Sequence, residues 1–235
     1  MPTPSHLTLG AIIFPKLDQI DFTGPFEVLG RLPDSTFHVL WKQREPVRDV
    51  NGLILTPEMA FHEAPPLDVL IVPGGQGQEA LLEDEETLDF IRRQAERAAC
   101  VFSVCTGALL CGAAGILRGV RATTHWTAFH LLEYFGAIPV DARVVIDRKI
   151  VSAAGVTAGI DGALRVAALL RGDEVAQQIQ LAIQYAPEPP FNSGSPETAP
   201  AKVLEAARAA AQSSIEARLA IAKRVAKKLG VSVGP

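Results

Sequence analysis

Val101-Phe102-Ser103-Val104-Cys105-Thr106-Gly107-Ala108-Leu109-Leu110 joins an apolar run to a small-residue helical pattern, with only the Cys105-Thr106-Gly107 junction between them. A short apolar run predicts a strand buried on both faces, as in a parallel sheet covered by helices on each side. The strand feeds directly into a helix. At such a sharp apex the side chain of Cys105 is pushed out of the sheet, and the following backbone N–H groups point to the same place. Residues 7–14, 37–41 and 67–72 read as further buried strands. Residues 79–98, acidic first and basic last, suit the dipole of one helix between two of them. This β-α-β alternation predicts an α/β fold with a mostly parallel central sheet.

Around this frame, residues 47–56 with Asn51-Gly52 at their centre predict a β-hairpin with a tight turn. Residues 122–124, 143–147 and 150–153 read as shorter strands, and residues 157–170 and 173–184 as helices. Proline then breaks the periodicity over 185–200, as a linker or an ordered loop. Beyond it Ile215, Leu219, Ala222, Ala226 and Leu229 recur at spacings of four and three, one apolar stripe on a helix that Gly230 can end. The expected organisation is one α/β domain over 1–184, followed by a Pro-rich segment and an added C-terminal helix over 185–235. That helix packs on the domain or on a partner subunit.

The 235 residues carry 22 Lys+Arg against 26 Asp+Glu, a net charge of −4. This argues against nucleic acid as a partner, since phosphate-backbone binding needs dense basic charge. The three cysteines, Cys100, Cys105 and Cys111, make no disulfide framework and match no common zinc spacing, so a reducing compartment and no metal are expected. The apolar run near the amino terminus is too short to span a bilayer and lacks a basic flank, so the expected location is cytoplasmic, with no membrane partner.

The chemistry points to four places. Cys105 sits at a helix N-terminus, whose partial positive charge favours the thiolate and so predicts a depressed pKa; Cys100 and Cys111 read as core residues. Asp21, within Ile20-Asp21-Phe22-Thr23-Gly24-Pro25, is an acid flanked by large apolar residues that can raise its pKa. Alternatively it N-caps a helix starting near Pro25. Asp18 and Glu27 are weaker candidates for the acid. In Val72-Pro73-Gly74-Gly75-Gln76-Gly77, glycine lets backbone amides approach a reacting atom. Residues 75–80 also fit a dinucleotide pattern, but the next strand ends in Ser103, Val104 and Cys105 rather than a ribose-binding acid. His125, in Thr123-Thr124-His125-Trp126, is a candidate base or a structural hydrogen-bonder; His130 is five residues on, one too many for a shared helical zinc face.

The acid before Gly-Pro, the Val-Pro-Gly-Gly loop, the strand-Cys-Thr-Gly elbow and the Thr-Thr-His-Trp segment, in that order, resemble the ThiJ/PfpI (class-I glutamine amidotransferase-like) superfamily over about residues 7–170. Within it the chain is most similar to the isonitrile hydratase family. That likeness is carried by residues 17–25, by Ser103-Val104-Cys105-Thr106-Gly107, and by residues 185–196, Tyr-Ala-Pro-Glu-Pro-Pro-Phe-Asn-Ser-Gly-Ser-Pro. The resemblance implies a flavodoxin-like three-layer sandwich, usually a homodimer. It implies Cys105 as nucleophile, Asp21 as acid/base and Thr106 as an essential neighbour, acting on a small-molecule isonitrile without cofactor. Gly75 and His125 are the expected substrate or oxyanion contacts. Glyoxalase and deglycase members generally carry Glu in place of Asp21, and the His-x-Glu of amidotransferases has no counterpart, because no His follows His130. A tandem helix-turn-helix has no room in the roughly thirty residues after Pro200. The alternatives are a glyoxalase-like or deglycase-like cysteine enzyme and a non-catalytic sensor in which Cys105 oxidises.

Overall fold

The computed structural model describes residues 5–233; the outermost residues of the two expected segments lie outside it. The elements in chain order are β1 (Leu7–Ile12), α1 (Gln19–Leu29), β2 (Ser35–Trp41), β3 (Val47–Arg48), β4 (Ile54–Leu55), β5 (Met59–Ala60), β6 (Val69–Val72), α2 (Gln78–Leu81), α3 (Glu85–Arg97), β7 (Cys100–Val104), α4 (Gly107–Ala113), β8 (Arg121–Ala122), a 3-10 segment (Trp126–Phe135), β9 (Ile138–Pro139), β10 (Val144–Asp147), β11 (Ile150–Ala153), α5 (Ala158–Arg171), α6 (Asp173–Ala182) and α7 (Ala201–Leu229). Seven strands form the central sheet in the order β10-β11-β7-β6-β1-β2-β5. All neighbours are parallel except the edge pair β10–β11. As continuous apolar runs predict, β6 and β7 are buried at every position.

Helices cover both faces, α1, α5 and α6 packing together on one and α2, α3, α4 and the 3-10 segment on the other. From β1 the chain runs outward to β2, then returns past β1 to β6 and β7 on the other side. The strand order therefore reverses between β1 and β6, the crevice where open α/β sheets place their ligands, beyond the carboxyl ends of the strands.

Three local readings differ from the sequence. The expected single helix over 79–98 is two, because the Asp84 carboxylate accepts the Thr87 N–H and caps a new start. The hairpin turn is a five-residue loop rather than a tight two-residue one: Asp49 Oδ1 takes the N–H groups of Asn51 and Leu53, both at 2.8 Å, between the pairs Arg48–Ile54 and Val47–Leu55. The first helix begins at Gln19 rather than near Pro25, which lies inside it. The capping role offered for Asp21 belongs to Asp18, whose carboxylate accepts from Ile20 N–H.

α7 lies along the 3-10 segment. Ala222, Val225 and Ala226 are buried, and Leu219 and Leu229 pack against the core. Gly230 ends it in the left-handed conformation, φ 63°. Among the described residues no helix is long and apolar enough to cross a membrane.

Candidate active site

The ends of β1, β6, β7 and β11 converge at one point. Cys105 occupies the left-handed region, φ 55°, a strained conformation for a residue with a Cβ. Its backbone is held on both sides: its N–H donates to Ala153 O at 2.9 Å, and its carbonyl accepts the Thr124 hydroxyl at 2.7 Å. The parallel register pairing Ala153 with Val104 delivers the first of these. A Cβ on Gly107, the second residue past the elbow, would lie 2.0 Å from Val72 O. Glycine there lets α4 leave β7 in direct backbone contact with the end of β6.

Asp21 is fully buried on the first turn of α1. Its Oδ2 accepts the Gly74 N–H at 3.0 Å. Its Oδ1 has no hydrogen-bond donor of ordinary geometry, while the Cys105 thiol is the hydrogen-bonding side chain facing the carboxyl. Pro25, four residues on, has no N–H to return to the Asp21 carbonyl, so the helix is loosened at this residue. Burial, reinforced by the Asp18 carboxylate, holds the Asp21 pKa well above the usual carboxylate range, despite the Gly74 and Cys105 hydrogen bonds.

The same pair corrects the expectation of a ready-made thiolate. Burial first, then the negative charge of Asp21, push the Cys105 thiol well above its ordinary pKa; the Thr106 N–H, donating to the sulfur, opposes this and is outweighed. Desolvation and a facing acid outweigh the helix N-terminus, and Cys105 rests as a thiol beside a carboxyl that binds protons readily.

Gly75 and Thr106, both expected at the site, bond to each other. The Gly75 N–H donates to Thr106 Oγ1 at 3.1 Å and is not free to polarise a bound group. With φ 116°, and with Asp18 N only 2.1 Å from where a Cβ would sit, Gly75 is a residue of close approach. Thr106 clasps the glycine loop with its hydroxyl and meets the sulfur with its N–H. His125 bonds Thr127, not Cys105: its Nδ1 accepts the Thr127 N–H at 3.3 Å and lies 2.8 Å from the Thr127 hydroxyl. Nδ1 as acceptor leaves the proton on Nε2. Burial, with Arg218 nearby, lowers the His125 pKa to about 4, so the ring is neutral.

Asp18 and Glu27, the other acids considered, do not reach the thiol: Asp18 caps α1, and Glu27 pairs with Arg31 on the surface. Cys100 and Cys111 are buried free thiols, their pKa pushed up to about 12 by burial. Among the described residues no group of three or more His, Cys, Asp or Glu is placed to hold a metal ion.

Beside the elbow lies a cavity of about 580 Å3, lined in part by Thr124, His125, Trp126, Phe129, Ala154 and Gly155. Sequence reasoning named His125 as a substrate contact but missed Phe129 beside it, and also the group that locks α7 in place. Arg218, 8% exposed on α7, lies 3.0 Å from Glu79 of α2, and the Ser214 hydroxyl donates to the same Glu79 oxygen. The available signal was Arg218 on the helical face that carries the apolar stripe.

Residues 10–169 match the DJ-1/PfpI family. The chain is 51% identical over 225 residues to an isonitrile hydratase of Pseudomonas putida, covering 96% of this chain and 99% of that protein. Among solved structures it superposes on a ThiJ/PfpI family protein of Pseudomonas syringae with TM-score 0.91 at 39% identity, covering 94% and 93% of the two chains. It shares the fold of Drosophila melanogaster DJ-1beta, with TM-score 0.70 at 20% identity over 77% of this chain and all of that one.

Proposed function

The chain belongs to the DJ-1/PfpI family, and from that premise we propose that it hydrates isonitriles, R–N≡C, to N-substituted formamides at Cys105 and Asp21. The observation that carries this reading is the buried pair itself, a thiol facing a carboxyl of raised pKa, in a chain 51% identical to an isonitrile hydratase along nearly its whole length.

Hydration needs both a nucleophile and a proton at the terminal carbon, whose lone pair is the basic site of an isonitrile. Asp21 receives the thiol proton and delivers one proton to that carbon as the sulfur bonds to it. One π bond of the triple bond is consumed, giving the thioimidate R–N=CH–S–Cys105. The Asp21 carboxylate then takes a proton from water as the water oxygen adds to the carbon, and a proton reaches nitrogen. The adduct R–NH–CH(OH)–S–Cys105 collapses, its hydroxyl proton returning through Asp21 to sulfur, and R–NH–CHO leaves. One isonitrile and one water are consumed and the thiol is restored. Because Asp21 handles the thiol proton, the reaction needs no standing thiolate. Thr106 donates its N–H to the sulfur throughout, and neutral His125 faces the cavity.

The family's usual homodimer is part of this reading, supported by apolar surface that a single chain leaves uncovered, Phe191 at 78% and Val203 at 52% exposed. The test of the function is formamide production from cyclohexyl isocyanide by the wild type, Cys105→Ala and Asp21→Ala. Turnover by the wild type alone is expected; turnover by either variant contradicts the assignment.

A further inference from the structure

The family match ends at residue 169, yet the cavity beside His125 is also lined by later residues: Gly194, Ser195, Pro196 and Glu197, with Arg208 of α7. Three of these end the stretch 185–196, which lies beyond the family match. The stretch is tied down at both ends. The Tyr185 hydroxyl donates to Asp161 Oδ2 at 3.1 Å, and the Ser195 carbonyl accepts the Ala199 N–H at 2.9 Å. The Thr198 hydroxyl accepts the Ser195 N–H at 3.3 Å.

We propose that residues 194–197 are the specificity wall of the site, setting the size of the R group admitted; this rests on the hydratase reading above. Proton and sulfur chemistry occur at the terminal carbon and are the same for every isonitrile. R is carried away from that carbon along the linear N≡C unit, so what selects R must stand beyond the elbow. The cavity is placed for this. Its lining residues Thr124 and Ala154 adjoin the backbone of Cys105, through the Thr124 hydroxyl bond and the Ala153 carbonyl. Trp126 and Phe129 give it apolar lining, and residues 194–197 line it as well. The elements within the family match thus supply the reaction and the segment beyond it supplies the limit on size.

Gly194 offers a clean test. Its φ lies outside the left-handed region, and a Cβ there meets no heavy atom within 4 Å, so a larger side chain occupies open space without backbone strain. kcat/KM is measured for methyl and cyclohexyl isocyanide with wild type, Gly194→Phe and Pro196→Ala. Gly194→Phe is expected to lower the cyclohexyl value about tenfold or more and the methyl value by no more than about twofold. Pro196→Ala, which removes wall contact, is expected to lower only the cyclohexyl value, by about threefold to fivefold. Retained methyl isocyanide turnover reports an intact fold. If both substrates change in parallel, or neither changes, the wall is not selective and the proposal is overturned. If Gly194→Phe loses both substrates, an unchanged selectivity ratio in Pro196→Ala overturns it and a lowered one sustains it. A wild type that hydrates neither substrate contradicts the hydratase reading itself, and the wall with it.

Discussion

Arg218 Nε stands 3.0 Å from Glu79 Oε1 and ties α7 to α2, the short helix that follows the glycine loop bonded to Asp21 and Thr106. Both partners are largely shielded, with side-chain exposures of 10% and 21%. The contact is one of charges rather than an aligned hydrogen bond at Nε. Removing one member of a shielded pair strands the other. Arg218→Met is therefore expected to cost about 2 kcal/mol in urea unfolding, below the range for fully buried pairs because of the residual exposure and poor alignment. A cost within about 0.5 kcal/mol, the range of an ordinary surface substitution, refutes the clamp.

His125 makes stability depend on pH. Its folded pKa, about 4, lies below the ordinary 6.5 because of burial first and Arg218 second. Between those values the unfolded chain binds the proton and the folded one does not, so stability rises with pH across that window and is fully regained above it. Roughly 2–3 kcal/mol is expected between pH 4 and 6.5. His125→Asn should flatten this part of the profile; unfolding curves for the two proteins at pH 4.5 and pH 7 supply the comparison.

The legible part of the fold was the part written in buried strands. Runs such as 67–72 and 100–104 carry no polar alternation, and the Cys105 junction follows from strand meeting helix. Local polar competition was harder to read. The Asp84 cap that splits the helix over 79–98 depends on one side chain bonding its own backbone, within a pattern that otherwise continues. The identities of Cys105 and Asp21 were readable as chemistry; their mutual effect on pKa was not, because it arises from residues 84 positions apart meeting in one buried contact. The same holds for Arg218 and Glu79, and for the wall of residues 194–197.

Burial disfavours the charged form of the Asp21 carboxyl. A carboxyl whose pKa is raised by burial contributes stability while protonated and loses it as pH rises through the folded value. Asp21→Asn keeps an acceptor for the Gly74 N–H and removes the titration. It is expected to raise Tm at pH 8 by a few degrees while abolishing turnover; a lowered Tm contradicts the burial penalty.

The Cys105 thiol should be a slow target for iodoacetamide at pH 7, its rate still climbing above pH 9, since burial and the Asp21 charge both raise its pKa. Asp21→Asn removes the second cause and should speed alkylation severalfold, read by peptide mass spectrometry. A rate that levels off below pH 7 in the wild type would instead establish the preformed thiolate.

Covalent addition at Cys105 assisted by Asp21 would be seen in rapid-quench mass spectrometry of the protein during turnover of cyclohexyl isocyanide. Addition expels no leaving group, so the Cys105 peptide should gain the mass of one entire isonitrile, transiently, as N-cyclohexylformamide accumulates. Formamide released at full rate by Cys105→Ala, or a wild type that yields neither adduct nor formamide, would contradict the account.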